Sequence, residues 1–178
     1  HDEVAGDIRM LHLKLEKSNQ LEEAKSLHII KENVRNLSHQ LSSESFNKVS
    51  FKDQIINLVS DYFEPDFKIK VENINTISWT EINNSIKRTL FLAVRESIQN
   101  AKKYAEATKL IVRFSENKKT ITLEISDNGI GFDAEVKKTG IGLKNIRERV
   151  EDLNGVFSID SELEKGTTIK IDVSKNGK

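Results

Sequence analysis

The chain has 178 residues, 37% of them hydrophobic and 31% charged. That suits a soluble globular domain with a small appendage and excludes a disordered chain. Its 28 basic and 28 acidic residues cancel, so it lacks the basic field of a nucleic-acid binder, and no nucleic-acid partner is expected. The absence of cysteine excludes disulfides, thiolate catalysis and zinc–thiolate sites and is compatible with the cytoplasm. No apolar run approaches the roughly 18 residues of a membrane span, and no signal peptide is visible.

His1 is not a natural start, which predicts a fragment of a longer protein, with a sensor or membrane segment upstream. Val4, Ile8, Leu11 and Leu15 recur at helical spacing, and after the polar turn Lys17–Gln20 a heptad seam runs through Leu27, Ile30, Val34, Leu37 and Leu41. Two amphipathic helices joined by a short turn make an antiparallel hairpin. Its lone stripes are best buried by pairing two hairpins as a four-helix bundle, so a homodimer through residues 1–44 is expected. Packing of the hairpin on its own C-terminal domain is the alternative.

Residues 45–178 form the second expected domain. A short helix spans 51–63 with Ile55, Ile56, Val59 and Phe63 as its apolar face, and Pro65 ends it. Alternation over 67–71 predicts a strand, and 80–106 a long helix with Ile86, Leu90, Ala93, Val94 and Ile98 facing inward. Strands at 110–114 and 120–126 flank the turn 116–119 as a hairpin. A helix over 143–153 stops before Gly155, and strands at 156–159 and 168–173 close the chain. The expected class is α+β: the helical hairpin, then an α/β sandwich with a mixed sheet and one helical layer.

Three segments carry chemistry. In Glu96-Ser97-Ile98-Gln99-Asn100-Ala101-Lys102-Lys103-Tyr104, Glu96 and Asn100 are four apart and share a helix face, with Lys103 about a turn further on. The amide oxygen of Asn100 suits Mg²⁺, and Lys103 can offset phosphate charge. In Ser126-Asp127-Asn128-Gly129-Ile130-Gly131, two glycines allow tight turns and close approach to a ligand. The Asp127 carboxylate can accept a hydrogen bond from an exocyclic amine such as that of adenine. In Gly140-Ile141-Gly142-Leu143, glycines run into a helix N-terminus, where free N–H groups and the dipole favour phosphate. Taken singly, these are also a solvated helix face, a plain turn and a loop-to-helix junction.

Together and in this order, the segments resemble the nucleotide-binding boxes of the GHKL ATPase superfamily, with Gly166-Thr167-Thr168 as its final Gly-Thr signature. The resemblance covers about residues 50–175 and implies ATP and Mg²⁺ as cofactors. It implies that Glu96 is the polar or basic member of the first box, Asn100 the metal ligand and Lys103 a phosphate contact. Tyr104 stands where many members have histidine. Asp127 would hold the adenine amino group in a pocket shaped by Gly129 and Gly131, with Thr168 supporting Asp127 or a bridging water. Gly140 and Gly142 would contact phosphates, with Leu143 completing the cofactor-binding set. Residues 132–139 would be a short ATP lid carrying Lys137 and Lys138.

The N-terminal segment narrows the resemblance to histidine kinases. His1-Asp2-Glu3-Val4-Ala5-Gly6-Asp7 looks like the acceptor motif of a subfamily whose signature begins His-Asp, and Arg35-Asn36-Leu37-Ser38-His39 matches a stretch near the end of its second helix. A neutral imidazole is a competent nucleophile, and Asp2 can orient His1 and accept its proton. The resemblance therefore implies autophosphorylation of His1 and transfer to an aspartate of a cognate response regulator. His12 is the rival acceptor. Gly6 stands where the subfamily has glutamine or asparagine, which puts phosphatase activity in doubt. A GHKL ATPase or serine kinase of the anti-sigma type, or a dimeric scaffold with a vestigial site, is the competing reading.

Overall fold

The computed structural model describes residues 49–132 and 140–175. The expected helical hairpin over 1–44, with its four-helix bundle, and the lid residues 133–139 lie outside the described residues.

Helix α1 (Phe51–Asp61) is capped by Ser50, whose hydroxyl accepts from the Asp53 N–H at 3.2 Å. Its buried face is Phe51, Ile55 and Leu58; of the expected stripe Ile55 is buried, but Ile56 is 42% and Phe63 82% exposed. The reason is aromatic packing. Phe51 lies 4.3 Å from the Trp79 ring and 6.1 Å from that of Phe114, so the helix rolls toward this cluster.

Strand β1 (Lys68–Glu72) leads into two 3₁₀ turns, Ile74–Thr76 and Trp79–Glu81. Helix α2 (Asn84–Tyr104) begins later than the sequence suggests because Asn83 caps it, its side chain accepting from the Ser85 N–H at 2.9 Å. It ends before Glu106, whose φ of 51° turns the chain into strand β2. Ile86, Leu90, Val94 and Ile98 are all fully buried along one face, as the periodicity requires.

Strands β2 (Lys109–Glu116) and β3 (Thr120–Asp127) form the expected antiparallel hairpin. Asn117 closes its turn, accepting from the N–H groups of Lys119 and Thr120 at 2.8 Å each. Helix α3 (Ile141–Asp152) is followed by Asn154, which takes the left-handed position with φ 53° one residue ahead of Gly155. Strands β4 (Val156–Glu162) and β5 (Gly166–Ser174) complete a five-stranded sheet of order β1-β2-β3-β5-β4. The β1–β2 pair is parallel and every other pair antiparallel, so the sheet is mixed, as expected.

The sheet is two-faced. Leu110, Val112, Phe114, Ile121, Leu123, Ile125, Ile169, Ile171 and Val173 are buried on the helical side. The other face carries Glu72, Arg113, Glu124 and Asp172, with Arg113 bridging Glu72 at 2.8 Å and Glu124 at 2.6 Å. This period-two alternation places odd-numbered residues of β3 and β5 toward the helices, which decides which side chains reach the site.

Candidate functional site

A cavity of about 570 Å³ opens between α2, the ends of β3 and β5, and the N-terminus of α3. Its lining includes Glu96, Ser97, Asn100 and Tyr104 from α2, Asp127 and Gly131 from the β3 end, Gly140, Gly142 and Leu143 from the start of α3, and Thr167 from β5. Ile125, Ile169 and Phe132 supply much of its apolar wall. A mostly apolar cleft with a few convergent polar groups is the usual form of a small-molecule site.

Three segments far apart in sequence thus meet at one place. Glu96 and Asn100 sit on the same face of α2, with the Asn100 Nδ2 donating to the Glu96 Oε1 at 3.3 Å. That contact turns the amide oxygen of Asn100 away from Glu96 and leaves it available to a cation or a donor. Gly142 brings α3 directly against Glu96, since a Cβ added there would collide with the Glu96 carboxylate. Gly140 is the N-cap of α3, with φ −60° and ψ 162°, and its N-terminal N–H groups carry the positive end of the helix dipole.

Asp127 ends β3 and is held by backbone. Its Oδ1 accepts from the Gly129 N–H at 2.9 Å, and the Thr167 N–H donates to it as well. Burial pushes its carboxyl above the usual range, against the pull of those two bonds. The following loop is pinned on both sides. Asn128 accepts from the N–H groups of Thr108 at 3.0 Å and Lys109 at 2.8 Å, and donates to the Thr108 hydroxyl at 2.9 Å. Gly131 has φ 60°, and a Cβ there would strike the Glu162 carbonyl, so this position needs glycine on two grounds. The Phe132 N–H donates to Ser161 Oγ at 3.0 Å, and Ser161 in turn lies 3.0 Å from Thr167 Oγ1.

Among the expected site residues within the described range, Lys103, Gly129 and Thr168 stand elsewhere than on the cavity wall. Lys103 is exposed on α2, and Gly129 acts through its N–H to Asp127. Tyr104 contributes to the rim but is 66% exposed. Thr168 lies on the outer face of the sheet, where its hydroxyl donates to Ser126 Oγ at 3.1 Å. The neighbour Thr167 takes the inward position instead, because strand residues alternate faces. His1, Asp2, Lys137 and Lys138 lie outside the described residues. Sequence reasoning missed Ser97, Thr167, Asn128 and Ser161. The alternation of β5 carried a signal for Thr167, since Ile169 and Ile171 mark its inward register. Ser97 carried none, because a lone serine on a helix has no distinctive pattern.

The family described as histidine kinase-, DNA gyrase B-, and HSP90-like ATPase matches residues 85–176. The oxygen sensor histidine kinase NreB of Staphylococcus carnosus (strain TM300) is 30% identical over 173 residues, covering 94% of this chain and 50% of NreB. The chain therefore spans about half the length of this curated relative. Two solved structures from Erythrobacter litoralis EL346 share the fold. The blue-light activated histidine kinase has TM-score 0.62 at 16% identity, covering 87% of this chain and 50% of its own. Its histidine kinase domain has TM-score 0.55 at 15% identity, covering 70% and 59%. With its mixed sheet, its cavity between α2 and α3, and the match over residues 85–176, the chain belongs to the histidine kinase-, DNA gyrase B-, and HSP90-like ATPase family.

Proposed function

We propose that this chain is the catalytic part of a protein-histidine kinase that binds ATP with Mg²⁺ in the cavity between α2 and α3. It phosphorylates a histidine of its N-terminal segment, His1, and passes the phosphoryl group to an aspartate of a response regulator. The observation that carries the reading is the convergence of Glu96 and Asn100, the Asp127 carboxylate and the α3 N-terminus on one cavity. The relatives named as histidine kinases support the choice of reaction.

Each group has a physical role in that reading. Asp127 accepts from the adenine amino group. The α3 N-terminus takes phosphate oxygens through its free N–H groups and dipole. The residues fit Mg²⁺, which keeps several waters and needs few protein oxygens when a nucleotide supplies the rest. Asn100 would hold it through its amide oxygen, and the ion would offset charge on the phosphates. A neutral imidazole nitrogen of His1 attacks the γ-phosphorus, the bond to the β–γ bridging oxygen breaks, and ADP leaves. Asp2 takes the imidazole proton. The reading includes a homodimer through residues 1–44 and a cytoplasmic location. No described helix is long and apolar enough to cross a membrane.

The test is incubation with γ-labelled ATP and Mg²⁺. The expected product is an acid-labile, alkali-stable phosphoprotein that is lost in Asn100→Ala and in His1→Ala. Labelling retained in His1→Ala moves the acceptor to another residue, His12 first. Acid-stable label, or ATP turnover without self-labelling, overturns the histidine kinase reading in favour of a serine kinase or an ATPase.

A further inference from the structure

Ser97 differs from the other buried polar residue of α2. It is 95% buried, at 5% exposure, and its hydroxyl has no hydrogen-bond partner among the described residues. Thr89, the other buried polar residue of this helix, is also 5% exposed, but its hydroxyl donates to the Ser85 carbonyl at 3.0 Å. That is the ordinary way for a helical hydroxyl to be satisfied. Ser97 does not use it, and its side chain lines the cavity that Asp127 also lines. A buried hydroxyl without a partner costs about 1–3 kcal/mol, so a fold that keeps one beside a binding cavity has placed a polar group where a ligand can satisfy it.

We infer that Ser97 is a second base-reading residue, whose hydroxyl donates to the purine ring beside the amino group that Asp127 accepts. This inference rests on the nucleotide-binding reading of the cavity. The Watson–Crick edge of adenine presents an amino donor next to a ring-nitrogen acceptor. A carboxylate acceptor at Asp127 and a hydroxyl donor at Ser97 complement that pair in order. On guanine the same edge presents an oxo acceptor next to an N–H donor, so the carboxylate faces an oxygen. Ser97 and Asp127 lie on different elements, the middle of α2 and the end of β3. The packing of that helix on the sheet sets their spacing, and no loop has to order for it. The bond is made directly or through one bridging water, which a polar site with two or more partners can hold.

The experiment measures ADP binding and thermal stability for the full chain and for Ser97→Ala, with ADP and with its 1-deaza analogue, in which the ring nitrogen is replaced by C–H. The expected result has three parts. Ser97→Ala weakens ADP about three- to tenfold, the range of one neutral hydrogen bond. The 1-deaza analogue binds the native chain more weakly than ADP but binds Ser97→Ala as well as ADP does, because the bond is already lost. The ligand-free Ser97→Ala variant melts at or above the native temperature, because an unsatisfied buried hydroxyl has been removed.

Equal ADP affinity in the two proteins overturns the inference and leaves the nucleotide site intact. A ligand-free Ser97→Ala variant that melts well below the native chain, with no difference between the two nucleotides, assigns Ser97 to packing and also overturns it. Failure of the native chain to bind any adenine nucleotide overturns the nucleotide reading, and the inference with it.

Discussion

The carboxylate of Glu96 occupies the space that a side chain at Gly142 would need. Two helices that are far apart in sequence are thus in contact at the floor of the cavity. A negative group against the first turn of α3 is favourable, by about 0.3–1 kcal/mol for such a charge near a helix N-terminus. Gly142→Ala would force either the carboxylate or the first turn of α3 to move. Alanine favours the helix itself by about 1 kcal/mol, so the fold should survive while ADP affinity falls about tenfold or more, the range of an overpacking strain of a few kcal/mol. Isothermal titration checks this. Combining Gly142→Ala with Glu96→Ala removes the collision and should recover much of the ADP affinity without recovering phosphoryl transfer. If the double variant binds no better than the single one, the contact is not the cause.

Asp127 makes a pH prediction with a definite sign. Burial raises its carboxyl above the ordinary value of 3.8 despite hydrogen bonds from the Gly129 and Thr167 N–H groups. In the window from that value up to its raised one, the folded state binds more proton than the unfolded state. This group therefore makes the ligand-free fold less stable as pH rises through the window. Asp127→Asn has no such charge to bury. The stability of the native chain relative to Asp127→Asn should fall as pH rises from about 3.8, read as the difference in urea midpoints. Nucleotide binding should be lost in the variant at neutral pH. A relative stability that is flat or rises across the same range contradicts the assigned direction.

Asn128 is the peg that keeps Asp127 in place. Its side chain satisfies two backbone N–H groups at the start of β2 and the Thr108 hydroxyl, joining the β3 end to the chain leaving α2. Asn128→Ala removes the shared acceptor and should cost about 1–3 kcal/mol, with weaker nucleotide binding because the loop carrying Gly129 and Gly131 loosens. Asn128→Asp keeps the acceptor and loses only the donor to Thr108, so it should be the milder variant. Chemical denaturation of the pair gives the order, and an aspartate variant worse than alanine would show that the donor matters most.

Much of this arrangement was legible in the sequence because the controlling periodicities are strong. The spacing of Ile86, Leu90, Val94 and Ile98 fixes which face of α2 is buried, and so brings Glu96 and Asn100 to one place. The glycines at the start of α3 announce a close approach, and Gly142 against Glu96 is where it happens. What was lost is what depends on register or on tertiary packing. The choice between Thr167 and Thr168 is a single step along β5, and one step reverses the face. The roll of α1 is set by Trp79 and Phe114, which are distant in sequence from Phe51, so its own pattern of apolar residues placed Ile55 correctly but missed Phe51 and Leu58. The role of Ser97 arises from the lack of a partner for one hydroxyl, which no pattern of residue types can display.

The far end of the sheet gives a pH response of the opposite sign. Glu116, at the end of β2, pairs with Lys175 just past β5, and its Oε1 accepts from the Ser78 N–H at 3.0 Å. The Lys175 bond is the main reason its carboxyl lies below the ordinary value of 4.5, and the Ser78 N–H adds to it. The Lys175 N–H also donates to the Lys119 carbonyl at 2.8 Å, so the pair joins the β2–β3 turn to the C-terminal strand. A carboxyl lowered on folding stabilises the fold above its unfolded value, and that contribution disappears as pH falls through its folded value. Glu116→Gln should therefore lower the urea midpoint at pH 7, with a difference that shrinks below about pH 4.5. The side chains of Glu116 and Lys175 are only 17% and 13% exposed, so added salt should reduce the difference less than it would for a surface pair. Because Glu116 is remote from the cavity, ADP affinity should stay at the native value. A difference that persists unchanged at low pH would mean that the glutamine disturbs packing and that the charge is not what stabilises this end of the sheet.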